Sequence, residues 1–145
     1  MRMALILFSL FFSALVQSAD LKEITLKEYK TSTPYSFKEN IGKKKIVLNF
    51  WASWCTSCIE ELPLLHTLQE QNKGKNVEFI AINSGENKKR VKKFLRRHSF
   101  KYKILMDPKK SVADIFGVDN LPQTIILDEN GKVVFRGNRP PKTIP

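Results

Sequence analysis

The chain has 145 residues and carries 25 Lys and Arg against 14 Asp and Glu, a formal net charge of +11 at pH 7. This length accounts for a single domain with one sizeable core. The two histidines, His66 and His98, do not stand at the spacing of common zinc ligands, so the composition argues against a zinc finger.

The first 19 residues have the pattern of a secretory signal peptide. Arg2 supplies the positive charge, residues 4–16 are apolar apart from two serines, and small residues precede the first acid of the chain. The uncharged stretch is shorter than the roughly 20 residues of a spanning helix, and an uncleaved inner-membrane anchor is the alternative. We expect 1–19 to direct export to the periplasm, where disulfides persist, and 20–145 to form one domain.

The only two cysteines stand in a Trp-Cys-Thr-Ser-Cys motif at 54–58. A short edge strand is predicted at 24–26 and a buried strand at 44–52, directly before the motif. A helix over 57–71 follows, with a kink at Pro63. A thiol in the first turn of a helix lies near free backbone N–H groups, which favour its thiolate.

Redox chemistry is the hypothesis that best explains this pair. In Cys-x-x-Cys motifs the thiol pKa falls from about 8.5 into a range of roughly 3.5–7.5, and the thiolate is the form that attacks disulfides. A structural disulfide is the main alternative, but closing so short a loop removes little entropy from the unfolded chain. We expect a redox-active dithiol with no metal and no cofactor.

The rest of the chain alternates strands with helices. Strands are predicted at 77–83 and 102–106, helices at 88–97 and 109–116, and a hairpin at 124–127 and 132–136 across an Asp-Glu-Asn-Gly turn. Gly117 is expected to end the second of these helices. The order predicts an α/β sandwich around a mixed sheet.

The predicted helix at 88–97 is the most basic segment. Val91, Phe94, Leu95 and His98 recur at helical spacing on one face, and Lys and Arg occupy the others. The ordinary interpretation is a solvated face of an amphipathic helix. The alternative is a surface for an acidic partner protein or an anionic membrane. Nucleic acid is not expected as a partner, because an exported protein rarely meets it.

Separated motifs carry a resemblance to a known family. They are the stretches 47–55, 58–63, 81–86 and 121–124, and the extra helix and strand between Glu86 and Met106. On these, residues 44–137 resemble thioredoxin-fold thiol–disulfide oxidoreductases of the TlpA/ResA-like group. The resemblance implies a thioredoxin-like three-layer sandwich with a mixed sheet and an αβ insertion.

The resemblance also implies catalytic residues. Cys55, exposed at the helix start, would be the attacking thiolate, and Cys58 the thiol that resolves the mixed disulfide. Asn49 stands where plain thioredoxins have a buried aspartate. Glu61 matches a glutamate typical of the family, and as a partly buried carboxylate it would have a raised pKa and carry the thiol proton. The alternative for Glu61 is an exposed helix glutamate.

Substrate contacts are implied in the same way. Pro122 matches the family's cis-proline, and with Leu121 it would offer backbone to an extended substrate segment. Trp54 would shield the dithiol. Gln123 replaces the usual threonine after the proline, which would alter substrate choice.

A second departure from the family lies after the hairpin. The fold normally adds a final helix there, but residues 137–145 include three prolines and are not expected to form one. One sheet face would then be exposed, and we expect a second copy of the chain to cover it in a homodimer.

The function implied is reduction of specific protein disulfides, such as the Cys-x-x-Cys-His sites of apocytochrome c, with electrons from a membrane-bound thiol reductant. A disulfide oxidase or isomerase, and a non-catalytic basic docking module on the same fold, are the alternatives. The direction of electron flow depends on a reduction potential that sequence does not give.

Overall fold

The computed structural model describes residues 21–145, so the predicted signal peptide at 1–19 lies outside the described residues. The elements in chain order are β1 Thr25–Glu28, β2 Pro34–Ser36, α1 Phe37–Asn40, β3 Lys45–Trp51, α2 Thr56–Glu60, α3 Leu62–Gln71, β4 Val77–Ser84, α4 Lys88–Phe94, β5 Lys103–Asp107, α5 Ser111–Ile115, β6 Gln123–Leu127 and β7 Val133–Gly137. Within 21–145, no helix has the length and apolar character needed to cross a membrane.

Seven strands form one mixed sheet in the order β2-β1-β5-β4-β3-β6-β7. The three central strands, β5, β4 and β3, run parallel, and the other pairings are antiparallel. The central strand β3 is buried on both faces from Ile46 to Trp51, because helices cover both sides of the parallel part of the sheet. The predicted α/β sandwich around a mixed sheet is confirmed.

The two faces of the sheet support separate clusters of buried side chains. On one face, α1 and α5 contribute Phe37 and Val112 to a cluster with Leu48 of β3. On the other, α3 and α4 contribute Leu62 and Val91 to a cluster that contains both cysteines. The dithiol therefore lies where helices α2 to α4 pack on the sheet.

The N-terminal region is more structured than the sequence predicts. The predicted edge strand at 24–26 is β1, but β1 lies between β2 and β5, so β2 is the edge. Neither β2 nor α1 is predicted, because elements of three and four residues are too short to show a period. Their anchors are Tyr35 and Phe37, both buried in the core.

The basic helix is shorter than predicted. Helix α4 ends at Phe94, where Leu95 N donates to Val91 O at 3.0 Å, and residues 95–97 continue as a turn. His98 still packs on the helix, with its ring centroid 4.6 Å from that of Phe94. His98 thus lies on the same face as Phe94, as its spacing in the sequence predicts.

The segment after β7 contains no helix among residues 138–145, as predicted, but the expected open sheet face is wrong. Ile144 packs against a buried cluster of Val47, Leu68, Phe79 and Ile126. The Lys45 Nζ donates to the carbonyl oxygen of Pro145 at 2.7 Å, which fixes this segment beside β3. The structural reason for expecting a homodimer is therefore removed.

Candidate active site

The predicted kink at Pro63 divides one helical segment into α2 and α3, with Glu61 at the junction. Proline lacks the N–H that an uninterrupted helix would use at this position. The Glu61 backbone remains helical and donates from its N to Ser57 O at 3.2 Å. The break leaves the Glu61 side chain directed into the protein, where the residue is 4% exposed.

Cys55 and Cys58 are joined in a disulfide, so the structure is that of the oxidised protein. Cys55 is the N-cap of α2, and its Sγ accepts a hydrogen bond from Cys58 N at 3.2 Å. The expectation that Cys55 is exposed is wrong for this state, since Cys55 is 5% and Cys58 4% exposed. Both belong to one buried cluster with Trp51 and Leu62.

Glu61 is held by one hydrogen bond, which Asn49 Nδ2 donates to its Oε1 at 2.8 Å. Its Oε2 is buried and has no hydrogen-bond partner among the described residues. Burial raises the pKa of Glu61 to about 7, although the Asn49 hydrogen bond and the charge of Arg139 partly oppose this rise. The structure excludes an exposed helix glutamate, and this carboxyl group takes up and releases a proton near neutral pH.

Glu61 lines a cleft of about 330 Å³ together with Leu121, Pro122 and Arg139. The Leu121–Pro122 peptide bond is cis, the isomer that the resemblance implies. Pro122 is buried and Leu121 is half-buried. The proposed proton carrier and the proposed substrate platform thus share one cleft.

Trp54 is the most exposed large hydrophobic residue in the part of the chain that the structure describes, and its shielding of the dithiol stays a prediction. Its side chain is 68% exposed and lines none of the clefts described around the site. It therefore offers an exposed aromatic surface directly before Cys55 in the chain.

The sequence assigns no role to Glu86, yet this carboxylate holds the loop that leads into the dithiol motif. It accepts hydrogen bonds from Ser53 N at 2.7 Å, from Ser53 Oγ at 2.5 Å and from Asn83 Nδ2 at 2.8 Å. Glu86 is 4% exposed. The signal that predicts this contact is the parallel pairing of β3 and β4, since the carboxyl ends of parallel strands meet at one edge.

Replacing Glu86 with alanine is expected to lower the free energy of unfolding by about 2–4 kcal/mol, because the buried Asn83 Nδ2 and the half-buried Ser53 N both lose their acceptor. The matched control is Glu86→Gln. Its amide oxygen can accept both N–H groups and its Nε2 can donate to Ser53 Oγ, so we expect a change below about 1 kcal/mol. Urea unfolding measures both values, and an equal loss in the two variants would contradict the hydrogen-bond account.

The histidines are not part of the site. His66 is half-buried with its ring centroid 6.0 Å from that of Tyr102, and burial together with the charge of Lys101 lowers its pKa. Across residues 21–145, no group of three or more His, Cys, Asp or Glu side chains is placed to hold a metal ion.

The chain is similar in sequence to known redox proteins. The model of the redoxin family matches residues 17–145. The thiol–disulfide oxidoreductase ResA of Geobacillus thermodenitrificans is 39% identical over 90 residues, which cover 62% of this chain and 52% of the relative. The chain thus spans about half the length of this relative.

Two solved structures show the same fold. The structure of MTB dsbF in its mixed oxidised and reduced forms has a TM-score of 0.73 at 25% identity, covering 86% of this chain and 90% of that one. A thioredoxin-like protein from Aeropyrum pernix has a TM-score of 0.69 at 21% identity, covering 91% of this chain and 90% of that one. The predicted thioredoxin-like fold is confirmed.

Proposed function

The chain belongs to the redoxin family, and on this premise we propose that it is a thiol–disulfide oxidoreductase acting through Cys55 and Cys58. The observation that carries the proposal is the disulfide between these two residues, with Cys55 as the N-cap of α2. Glu61, three residues after Cys58, adds a buried carboxyl group with a pKa of about 7.

Cys55 is the proposed nucleophile because its Sγ accepts the Cys58 N–H hydrogen bond. A hydrogen bond to the charged form of an acid lowers the pKa of that acid, so in the reduced protein this N–H favours the Cys55 thiolate. Cys58 is the proposed resolving thiol.

The proposed reaction reduces a substrate disulfide in two exchanges. The Cys55 thiolate attacks one substrate sulfur, forms a mixed disulfide and releases the other substrate sulfur as a thiolate. Cys58 then loses its proton to the Glu61 carboxylate, and its sulfur attacks the Cys55 sulfur. This step forms the Cys55–Cys58 disulfide and releases the second substrate sulfur. Two electrons pass to the substrate, whose two thiolates take one proton from Glu61 and one from solvent.

The cleft beside Glu61 is the proposed place for the substrate chain. Leu121 and Pro122 line it and would contact an extended segment that carries the disulfide. Trp54 directly precedes Cys55 in the chain, and its exposed ring would make a further contact with the substrate. Such contacts would orient the disulfide for in-line attack.

A more specific proposal concerns the cellular location of the protein and the direction of electron flow. Residues 1–19 would direct export to the periplasm, and the protein would reduce specific protein disulfides there, including those of apocytochrome c. A membrane-bound dithiol donor would return two electrons and two protons to the Cys55–Cys58 disulfide after each turnover. The similarity to the thiol–disulfide oxidoreductase ResA supports the exchange chemistry, which an oxidase or isomerase would share, so the direction is decided by the reduction potential.

The reduction potential of the Cys55–Cys58 couple tests the direction. We expect a value well below about −200 mV, the range of reductants, whereas an oxidant would lie near about −120 mV. Equilibration in thiol–disulfide buffers, followed by trapping of free thiols and mass spectrometry, gives the potential. A value near that of an oxidant would contradict the reductase, and a couple that never exchanges would contradict the oxidoreductase itself.

A further inference from the structure

A strongly positive cleft lies beside the dithiol, apart from the cleft that holds Glu61. Its volume is about 580 Å³. One wall includes Ser53 and Ile59, which flank the dithiol motif in the chain. The other wall carries four cations of α4 and the turn after it: Arg90, Lys93, Arg96 and Arg97. This feature is named the basic cleft.

The cations of the basic cleft have no acidic partner in the part of the chain that the structure describes. The ion pairs there involve other cations, namely Lys44, Lys45, Lys73 and Lys103. The acid nearest to α4 in sequence, Glu86, is buried and its carboxylate is engaged by Ser53 and Asn83. The positive charge of the cleft is therefore available to a molecule from outside.

The order of charges along α4 opposes helix stability. Its first turn carries Lys88, Lys89 and Arg90 and no acid. Cations near a helix N-terminus oppose the helix dipole, an effect of typically about 0.3–1 kcal/mol per charge. Lys88 is engaged within the protein, since its Nζ donates to Ser32 Oγ at 3.1 Å and lies 5.5 Å from the centroid of the Tyr29 ring, so Arg90 is the cation of this turn that lines the basic cleft.

The basic cleft also has apolar surface. Phe94 forms part of its lining and His98 stacks on that ring. Trp54, 68% exposed, is the next residue after Ser53 of the cleft wall. Arginine and tryptophan together are typical of the central contacts in protein interfaces.

We propose that the basic cleft binds an acidic segment of the protein substrate, close to the disulfide that Cys55 attacks; this proposal rests on the proposed function. Arg90, Lys93 and Arg97 recur at intervals of three and four residues, so they share one side of the helix and its final turn. In an extended segment, alternate side chains point the same way, about 7 Å apart. A Glu-x-Glu sequence near the target cysteine would match them.

An anionic membrane surface fits the same charges less well. The basic cleft is concave, and one of its walls leads directly into the Trp54–Cys55 loop. A bilayer against this face would cover Trp54 and the approach to the dithiol, which a substrate must reach. An acidic peptide segment fills the cleft and leaves its own disulfide at Cys55.

The test uses two peptides that differ only in a Glu-x-Glu or Gln-x-Gln sequence beside one cysteine. Fluorescence anisotropy measures binding of the forms with that cysteine replaced by serine, and the disulfide forms give reduction rates. The variant Arg90→Glu/Lys93→Glu/Arg97→Glu is compared with Lys109→Glu/Lys132→Glu/Arg136→Glu, which makes the same charge change at exposed positions outside the cleft. If the first variant does not fold, Arg90→Gln/Lys93→Gln/Arg97→Gln takes its place.

At low ionic strength we expect the unchanged protein to prefer the acidic peptide by at least about 10-fold in affinity and in reduction rate. The cleft variants should lose this preference to within about 2-fold, the control triple should keep it, and about 0.5 M salt should abolish it. Equal affinity for both peptides, or a preference that survives in the cleft variants, would overturn the proposal.

Two further outcomes are informative. Binding to phosphatidylglycerol vesicles that the cleft variants lose, without any peptide preference, would assign the cleft to a membrane and overturn the proposal. If the unchanged protein binds the acidic peptide through the cleft but does not reduce even bis(2-hydroxyethyl) disulfide, the docking site stands and the proposed function fails.

Discussion

Replacing Cys55 with serine is expected to lower the rate of protein-disulfide reduction by at least about 1,000-fold, to the level of the buffer alone. Serine keeps the size of the side chain but is not ionised at neutral pH and does not form the mixed disulfide. The measurement is the reduction of insulin by the fully reduced protein, monitored with limiting dithiol donor.

Replacing Cys58 is expected to give a different result, and the difference assigns the two roles. In Cys58→Ser, the Cys55 thiolate still attacks a substrate disulfide, but no second thiol releases the product. The variant should therefore accumulate a one-to-one covalent adduct with a disulfide-bonded substrate, visible by mass spectrometry and removed by dithiothreitol. Cys55→Ser should form far less adduct under the same conditions.

The reverse pattern would assign attack to Cys58 and contradict the hydrogen-bond argument for Cys55. That argument depends on the hydrogen bond that Cys58 N donates to the Cys55 sulfur at 3.2 Å. The direction of the helix gives this bond its sense, from a residue inside the helix to the residue that caps it. Differences in fold stability do not mimic the pattern, because a disulfide that closes so short a loop contributes little through chain entropy. Both variants are compared with the reduced protein, so no measurement depends on the oxidised state.

Features set by local sequence are the ones that the sequence predicts well. The break at Pro63 follows from the missing N–H of one residue, and it places Glu61 at a junction between two helices. The strands and the dithiol at the start of a helix follow from patterns within short windows. The order of these elements predicts the α/β sandwich around a mixed sheet, and the resemblance of the separated motifs to a known family implies the thioredoxin-like fold.

Features set by contacts between distant residues are the ones that the sequence does not predict. Glu86 binds Ser53 across 33 positions, and Lys45 binds the carbonyl of Pro145 across 100. The C-terminal segment covers the sheet through Ile144 without forming a helix, which no periodicity predicts. The pattern of α4 predicts its cations, but only the packed fold shows that they face Ser53 and Ile59 across the basic cleft.

Glu61→Gln is expected to change both the pH dependence of stability and the rate of the second exchange. In the oxidised protein the carboxyl group has a pKa of about 7, raised by burial from an ordinary value of 4.5 that applies when the chain is unfolded. Between these two values the folded state binds a proton that the unfolded state has lost. The free energy of unfolding therefore falls as pH rises through this window, by about 3 kcal/mol in all at 1.36 kcal/mol per pKa unit.

Glutamine keeps an oxygen for the hydrogen bond from Asn49 Nδ2 and removes the titration. The oxidised Glu61→Gln protein should match the unchanged protein in stability near pH 4 and exceed it by up to about 3 kcal/mol near pH 8, as measured by urea unfolding at both values. With the dithiol reduced, the same variant should resolve the mixed disulfide about 100-fold more slowly near pH 7, because Cys58 loses its proton acceptor.

The matched control is Glu39→Gln, an exposed glutamate of α1 that does not line the cleft of Glu61, and it should change neither quantity. A stability difference between Glu61→Gln and the unchanged protein that is constant from pH 4 to pH 8 would show that Glu61 does not titrate near neutral pH. If the stability of Glu61→Gln changes with pH as expected, but the variant resolves the mixed disulfide as fast as the unchanged protein, burial of Glu61 affects stability and not catalysis. Glu61 would then be a buried acid beside the dithiol, and the Cys58 proton would leave through water in the Pro122 cleft.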